Sequence, residues 1–155
     1  MGRRVYFSYD HDGDMGRADQ IRSSNAVANP DMEGFFGPAE YAEAAKQGQK
    51  AIQDLIERHL QNTSVTVVLI GADTAKDPWV KYEIDRSIEQ KNGLFGIYIG
   101  HLRDVNGRTP TQGLKPPVPS GVEFPAYSWN GDPDRFVREI LAAGKRADAL
   151  RMRAS

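Results

Sequence analysis

Residues 64–71, SVTVVLIG, constrain the fold more than any other stretch, because their apolar side chains do not alternate with polar ones. A strand with one wet face reads apolar at every second position. One with Val65, Val67, Val68, Leu69 and Ile70 nearly continuous, and β-branched in the main, is covered on both faces, as central strands of parallel sheets are. Such a strand needs packing layers above and below, and the rest of the chain supplies them. Residues 5–9 are a short apolar and aromatic run that reads as another buried strand, and a helix is expected around 14–25 with Met15, Ala18, Ile21 and Arg22 along one side. Pro30, Gly34, Gly37 and Pro38 make 26–38 a loop, with room for a short strand at 26–28. Ala45, Ile52, Leu55, Ile56 and Leu60 recur at helical spacing and predict one long helix over 39–61. Asp77 and Pro78 are an N-cap and first-turn proline for a helix with a Val80, Ile84, Ile88 stripe, ended by Asn92 and Gly93. LFGIYIG (94–100) is a further buried strand, 101–123 an irregular connection and FPAYSW (124–129) a last edge strand. Asp132 and Pro133 repeat the cap signal for a final helix carrying Phe136, Val137, Ile140 and Leu141. The alternation predicts an α/β fold: one domain over 1–155, a parallel sheet with helices on both faces.

Composition narrows the function. The 155 residues hold 20 basic and 21 acidic side chains, a net charge of -1, so nothing draws the whole molecule to nucleic acid or an anionic membrane. The basic cluster GKRADALRMRAS (144–155) reads as a solvated helix end. There is no cysteine, which removes disulfides, thiolate metal sites and a cysteine nucleophile. MGRRVYFSYD turns polar too early for a signal peptide, and no run approaches the ~18 apolar residues of a membrane span. A cytoplasmic protein is the expectation.

In parallel sheets ligands bind beyond the carboxyl ends of the strands, which directs attention to 8–16, 71–79 and 100–110. The first of these carries Asp10, Asp12 and Asp14. A calcium loop would place glycine at its sixth position and glutamate at its twelfth, where Met15 and Ile21 stand. Asp10-His11-Asp12-Gly13 resembles the D-x-D-G-T of haloacid-dehalogenase-like phosphatases, with Asp10 as magnesium-assisted nucleophile and Asp12 as acid. Against this, Asp14 replaces the motif's hydroxyl residue, NGDPD (130–134) lies at a helix start, and the chain is short for that fold. His11, His59 and His101 are too scattered to define a metal site. In the second loop, Trp79 and Glu83 are four apart and share a helix face about one and a half turns from its start, beside the mouth the first loop lines. From spacing alone a surface glutamate beside a packed tryptophan is the simpler reading.

FSYD (7–10), the long second helix, NTSVTVVLIGADT (62–74), WVKYEI (79–84) and GLFGIYI (93–99), taken in order, resemble the TIR-like domains of the Thoeris antiphage ThsB family over residues 3–102. The resemblance implies a flavodoxin-like, TIR-like parallel sheet and catalysis on NAD as substrate, with no separate cofactor or metal. It makes Glu83, in the W-x-x-x-E segment, the essential catalytic residue, with Ser8, Tyr9 and Asp10 lining the same pocket. Trp79 or Tyr9 could stack on a substrate ring, with a core role for Trp79 equally open. One dominant carboxylate suits the chemistry. Ordinary glycosidases use two, one to protonate a poor leaving group, whereas nicotinamide departs from its pyridinium as a neutral molecule. Glu83 would then hold the ribose and stabilise an oxocarbenium-like cation. Capture by water gives ADP-ribose; capture by another part of the same nucleotide gives a cyclic ADP-ribose-type signal, and the sequence leaves both open. The resemblance further implies a homo-oligomer, an effector protein that responds to the signal, a phage-derived trigger, and a role for 26–38 in assembly and gating. The alternative from another class is a non-catalytic TIR scaffold that joins partner proteins.

Overall fold

The run at 64–71 lies at the centre of a parallel sheet. The structure, a computed structural model, describes residues 4–24, 32–33, 38–103, 106–107, 109 and 112–154. Among them five strands, β1 (Val5–Ser8), β2 (Met32–Glu33), β3 (Val65–Ile70), β4 (Gly93–Tyr98) and β5 (Ala126–Ser128), pair in parallel in the order β2-β1-β3-β4-β5. This is the flavodoxin-like order, in which the winding reverses between β1 and β3. All six residues of β3 are fully buried, as an uninterrupted apolar run requires.

The strand period of two divides the core cleanly. Val5 and Phe7 of β1, with Val67, Leu69, Phe95 and Ile97, pack under α1 (His11–Arg22) and α5 (Pro133–Ala154). Tyr6 faces the other way, onto Ile52, Leu55, Ile56 and Leu60 of α3 (Gln49–Leu60). Val68, Ile70 and Leu94 meet Val80 and Ile84 of α4 (Pro78–Glu89) on that same side. Helices on both faces satisfy the demand set by the central strand. Among the described residues no helix is long and apolar enough to cross a membrane.

Four expectations are corrected. The single helix over 39–61 is two, α2 (Pro38–Gln47) and α3, parted at Gly48, whose φ of 110° and ψ of -177° lie where essentially only glycine is comfortable. The first helix begins at His11, three residues early, because Asp10 caps it by accepting from the Asp12 amide. Asp12 and Asp14 consequently stand inside its first turn. On α5, Phe136 and Ile140 are buried as expected, but Val137 and Leu141 are 50% and 53% exposed, and Ala143 and Ala147 complete the buried face. The helix crosses the sheet too closely for larger groups there: a Cβ on Gly93 would lie 1.9 Å from the Ala143 carbonyl oxygen. Arg22, placed on the inner side of α1, is exposed. The strand expected at 26–28 falls outside the described residues, and the edge position beside β1 is held by β2.

Candidate functional site

Two elements build the site. In β1 the alternation that sends Phe7 to one face sends Tyr6 and Ser8 to the other, toward α4. In α4 the Asp77 cap accepts the Trp79 amide at 2.8 Å, Pro78 opens the first turn, and Val80 and Ile84 anchor the helix on β3 and β4. That anchoring turns Glu83 inward over the end of β1. Its carboxyl accepts a hydrogen bond from the Ser8 hydroxyl at 2.9 Å on Oε1 and another from the Tyr6 hydroxyl on Oε2. Only 1% of Glu83 is exposed. The reading of a surface glutamate, simpler on spacing, does not hold.

Burial dominates the electrostatics. It pushes the Glu83 carboxyl up to about 8, against the pull of the Tyr6 and Ser8 hydrogen bonds and with a further upward push from the Asp77 charge. The Tyr6 phenol is driven well above its ordinary range by burial first and by the Glu83 charge second. Asp77 is raised to about 6, again by burial, with the neighbouring Asp10 adding to the shift and its capped amides opposing it. Around these groups lies an aromatic wall. The His11 ring stacks on Tyr41 of α2 at 4.5 Å and leans on Tyr9 at 4.2 Å, and burial holds it neutral by lowering it to about 4. Tyr41 is raised to about 12, by burial and then by the charges of Asp12, Asp77, Glu83 and Asp10. The site is thus a buried carboxyl in a negative field, bordered by aromatic rings, at the carboxyl end of β1. Carboxylates beside aromatic rings are a combination that suits a flat cation.

Of the residues singled out in the sequence, the structure brings Ser8 and Glu83 into direct contact. Asp10 caps α1 and faces Asp77 from across the sheet edge. Tyr9 is 2% exposed and belongs to the α1–α5 core, touching the site's border through His11. Trp79, half-buried, packs edge-on against Tyr82 at 5.8 Å beside the α3 cluster. The three aspartates of the first loop have separated into different tasks. Asp10 caps, Asp12 is exposed, and Asp14, 2% exposed, pairs at 2.8 Å with Arg17, whose Nε donates to the Leu102 carbonyl. Tyr6, Asp77, His11 and Tyr41 were missed. Tyr6 carried a usable signal, since it stands two residues before Ser8 in the same strand; Tyr41 carried none, because only packing sets α2 beside His11. Among the described residues no group of three or more His, Asp or Glu side chains is arranged to hold a metal ion.

Comparison with known proteins places this geometry in context. A family model described as the TIR-like domain of the Thoeris protein ThsB matches residues 6–104. The chain is also similar to a protein of Bacillus cereus (strain MSX-D12) named as a candidate cyclic ADP-D-ribose synthase, ThsB1. The two are 33% identical over 140 residues, covering 84% of this chain and 73% of that protein.

Proposed function

The chain belongs to the Thoeris ThsB TIR-like family, and on that premise we propose that it is an antiphage-defence enzyme that cleaves the nicotinamide–ribose bond of NAD and closes the product into a cyclic ADP-ribose-type signal. The observation that carries the reading is the Glu83 carboxyl, buried and held from two sides by Tyr6 and Ser8 at the ligand edge of the sheet. Burial keeps it protonated up to about pH 8. A pyridinium brought alongside stabilises the ionised form and draws the proton off. The carboxylate then faces a substrate whose positive charge moves from the ring to the ribose as the bond breaks, and fixed dipoles on both its oxygens keep it oriented through that step. The neutral nicotinamide needs no proton to leave, so a single carboxylate suffices. Capture by a nucleophile within the same nucleotide, favoured where the pocket excludes water, makes the ring; the name of the Bacillus relative supports this capture over hydrolysis. NAD is substrate here, with no further cofactor. The signal would reach a separate effector protein, and a homo-oligomer responding to a phage-derived trigger would set its timing.

Incubation of the protein with NAD, with and without extract from infected cells, followed by chromatographic separation, tests the proposal. The expected result is nicotinamide release with a cyclic nucleotide product, lost in Glu83→Gln while the fold is kept. Defence that survives Glu83→Gln unchanged would support the scaffold instead.

A further inference from the structure

A cavity of about 320 Å³ opens at the opposite edge of the sheet from Glu83, between the end of α4, the start of β4 and the last turns of α5. Its lining carries three cations, Lys91, Arg146 and Arg153, against one carboxylate, Glu123, over an apolar floor that includes Leu94, Val122 and Leu150. The volume falls within the range of small-ligand pockets. Three observations make it a built site and not a chance gap. The Arg146 guanidinium is fixed by donation from Nη2 to the Leu94 carbonyl at 2.6 Å. Its Nε is buried and finds no hydrogen-bond partner among the described residues, the Glu123 carboxylate standing 3.9 Å away. Lys91 occupies the position just past α4 with φ of 63°, a left-handed conformation that helices ordinarily give to glycine or asparagine; here it carries a cation to the cavity rim. The wall between them is rigid, because Asn92 donates to Thr63 and Thr66 at 3.0 Å and accepts from Arg151 at 2.9 Å. The basic end of α5 is therefore more than a solvated tail.

We infer that this cavity binds a small organic monophosphate, its phosphate held by Lys91, Arg146 and Arg153 and its apolar group seated on Leu94, Val122 and Leu150. Phosphate matches the charge and the bidentate geometry of guanidinium groups, and the floor accounts for an apolar body. The site shares no residue with the Glu83, Tyr6 and Ser8 cluster and does not depend on what that cluster does.

Calorimetric titration with phenyl phosphate, adenosine monophosphate and inorganic phosphate tests it, with methyl chemical shifts of Leu94, Val122 and Leu150 reporting the location. Phenyl phosphate is expected to bind at least tenfold tighter than inorganic phosphate and to shift those methyls. Lys91→Gly suits the left-handed backbone, so it keeps the fold while weakening phenyl phosphate about tenfold; Arg146→Gln weakens it at least as much, and Glu83→Gln leaves it unchanged. The inference is overturned if phenyl phosphate fails to bind at millimolar concentration, if inorganic phosphate binds equally well, or if Lys91→Gly leaves the affinity intact.

Discussion

Replacing Glu83 by glutamine should make the protein more stable while destroying its proposed activity. The folded carboxyl titrates at about 8 against an ordinary 4.5, so the native state holds the proton more tightly than the unfolded chain does. With that sign, stability falls as pH rises from 4.5 and levels off above about 8. Integrated over that window, the carboxyl costs the wild type about 3 kcal/mol at pH 7 and about 5 kcal/mol at pH 9. Glutamine has the same shape and no charge. Its carbonyl oxygen accepts from the Tyr6 hydroxyl, and its amide donates to the Ser8 oxygen once that hydroxyl turns, so neither hydrogen bond of the site is lost. Urea denaturation of both proteins at a series of pH values between 5 and 9 reads the difference. The curves should coincide near pH 5 and separate upward, with the variant midpoint higher by roughly 1–2 M at pH 7. His11 titrates in both proteins and subtracts out, while Asp77, coupled to Glu83 by charge, adds its relief to the same difference and with the same sign. Two pH profiles that run parallel, or a variant that is the less stable protein at pH 9, would show that Glu83 is not held at a cost by its surroundings.

Tyr6→Phe removes one of the two donors to that carboxyl and should lower kcat/KM for nicotinamide release by about 10- to 100-fold, the worth of a hydrogen bond to a charged group. Because that bond pulls the Glu83 value down, the pH profile should also move to the alkaline side, an effect that mere loosening of the core would not produce. Gly48→Ala meets no atom within 4 Å, so its cost is backbone strain alone, about 1–3 kcal/mol, read as a melting temperature lower by roughly 2–10 °C. An unchanged melting temperature would mean that the α2–α3 break does not need glycine. Arg17→Ala strands the buried Asp14 carboxylate and should destabilise by about 3–5 kcal/mol at neutral pH in denaturant unfolding, with relief in acid as Asp14 takes up a proton.

How far the sequence could be read follows from the range of the interactions that decide each feature. The central strand was legible because burial on both faces is written into consecutive residues, 65–70, and the parallel sheet with covering helices follows from it. The break at Gly48 was not legible: helical periodicity runs straight through it, and a glycine inside such a pattern costs only about 1 kcal/mol, too little to signal a change of direction. On α5 the pattern chose Val137 and Leu141 for their size, whereas the close crossing over Gly93 selects alanines for the same face. The site divides in the same way. Spacing within α4 favoured a surface glutamate at 83, and only the family resemblance singled it out, because its environment is set by Tyr6 and Ser8, 77 and 75 residues away, and by the burial of all three. The conspicuous cluster of Asp10, Asp12 and Asp14 illustrates the converse. Local density of charge drew the eye, yet each aspartate is explained by contacts made after folding, one as a cap, one in solvent and one in a buried ion pair. A carboxylate's protonation shifts when the fold buries it, and in this chain Glu83 is so treated, its two hydroxyl donors coming from a strand more than seventy residues earlier.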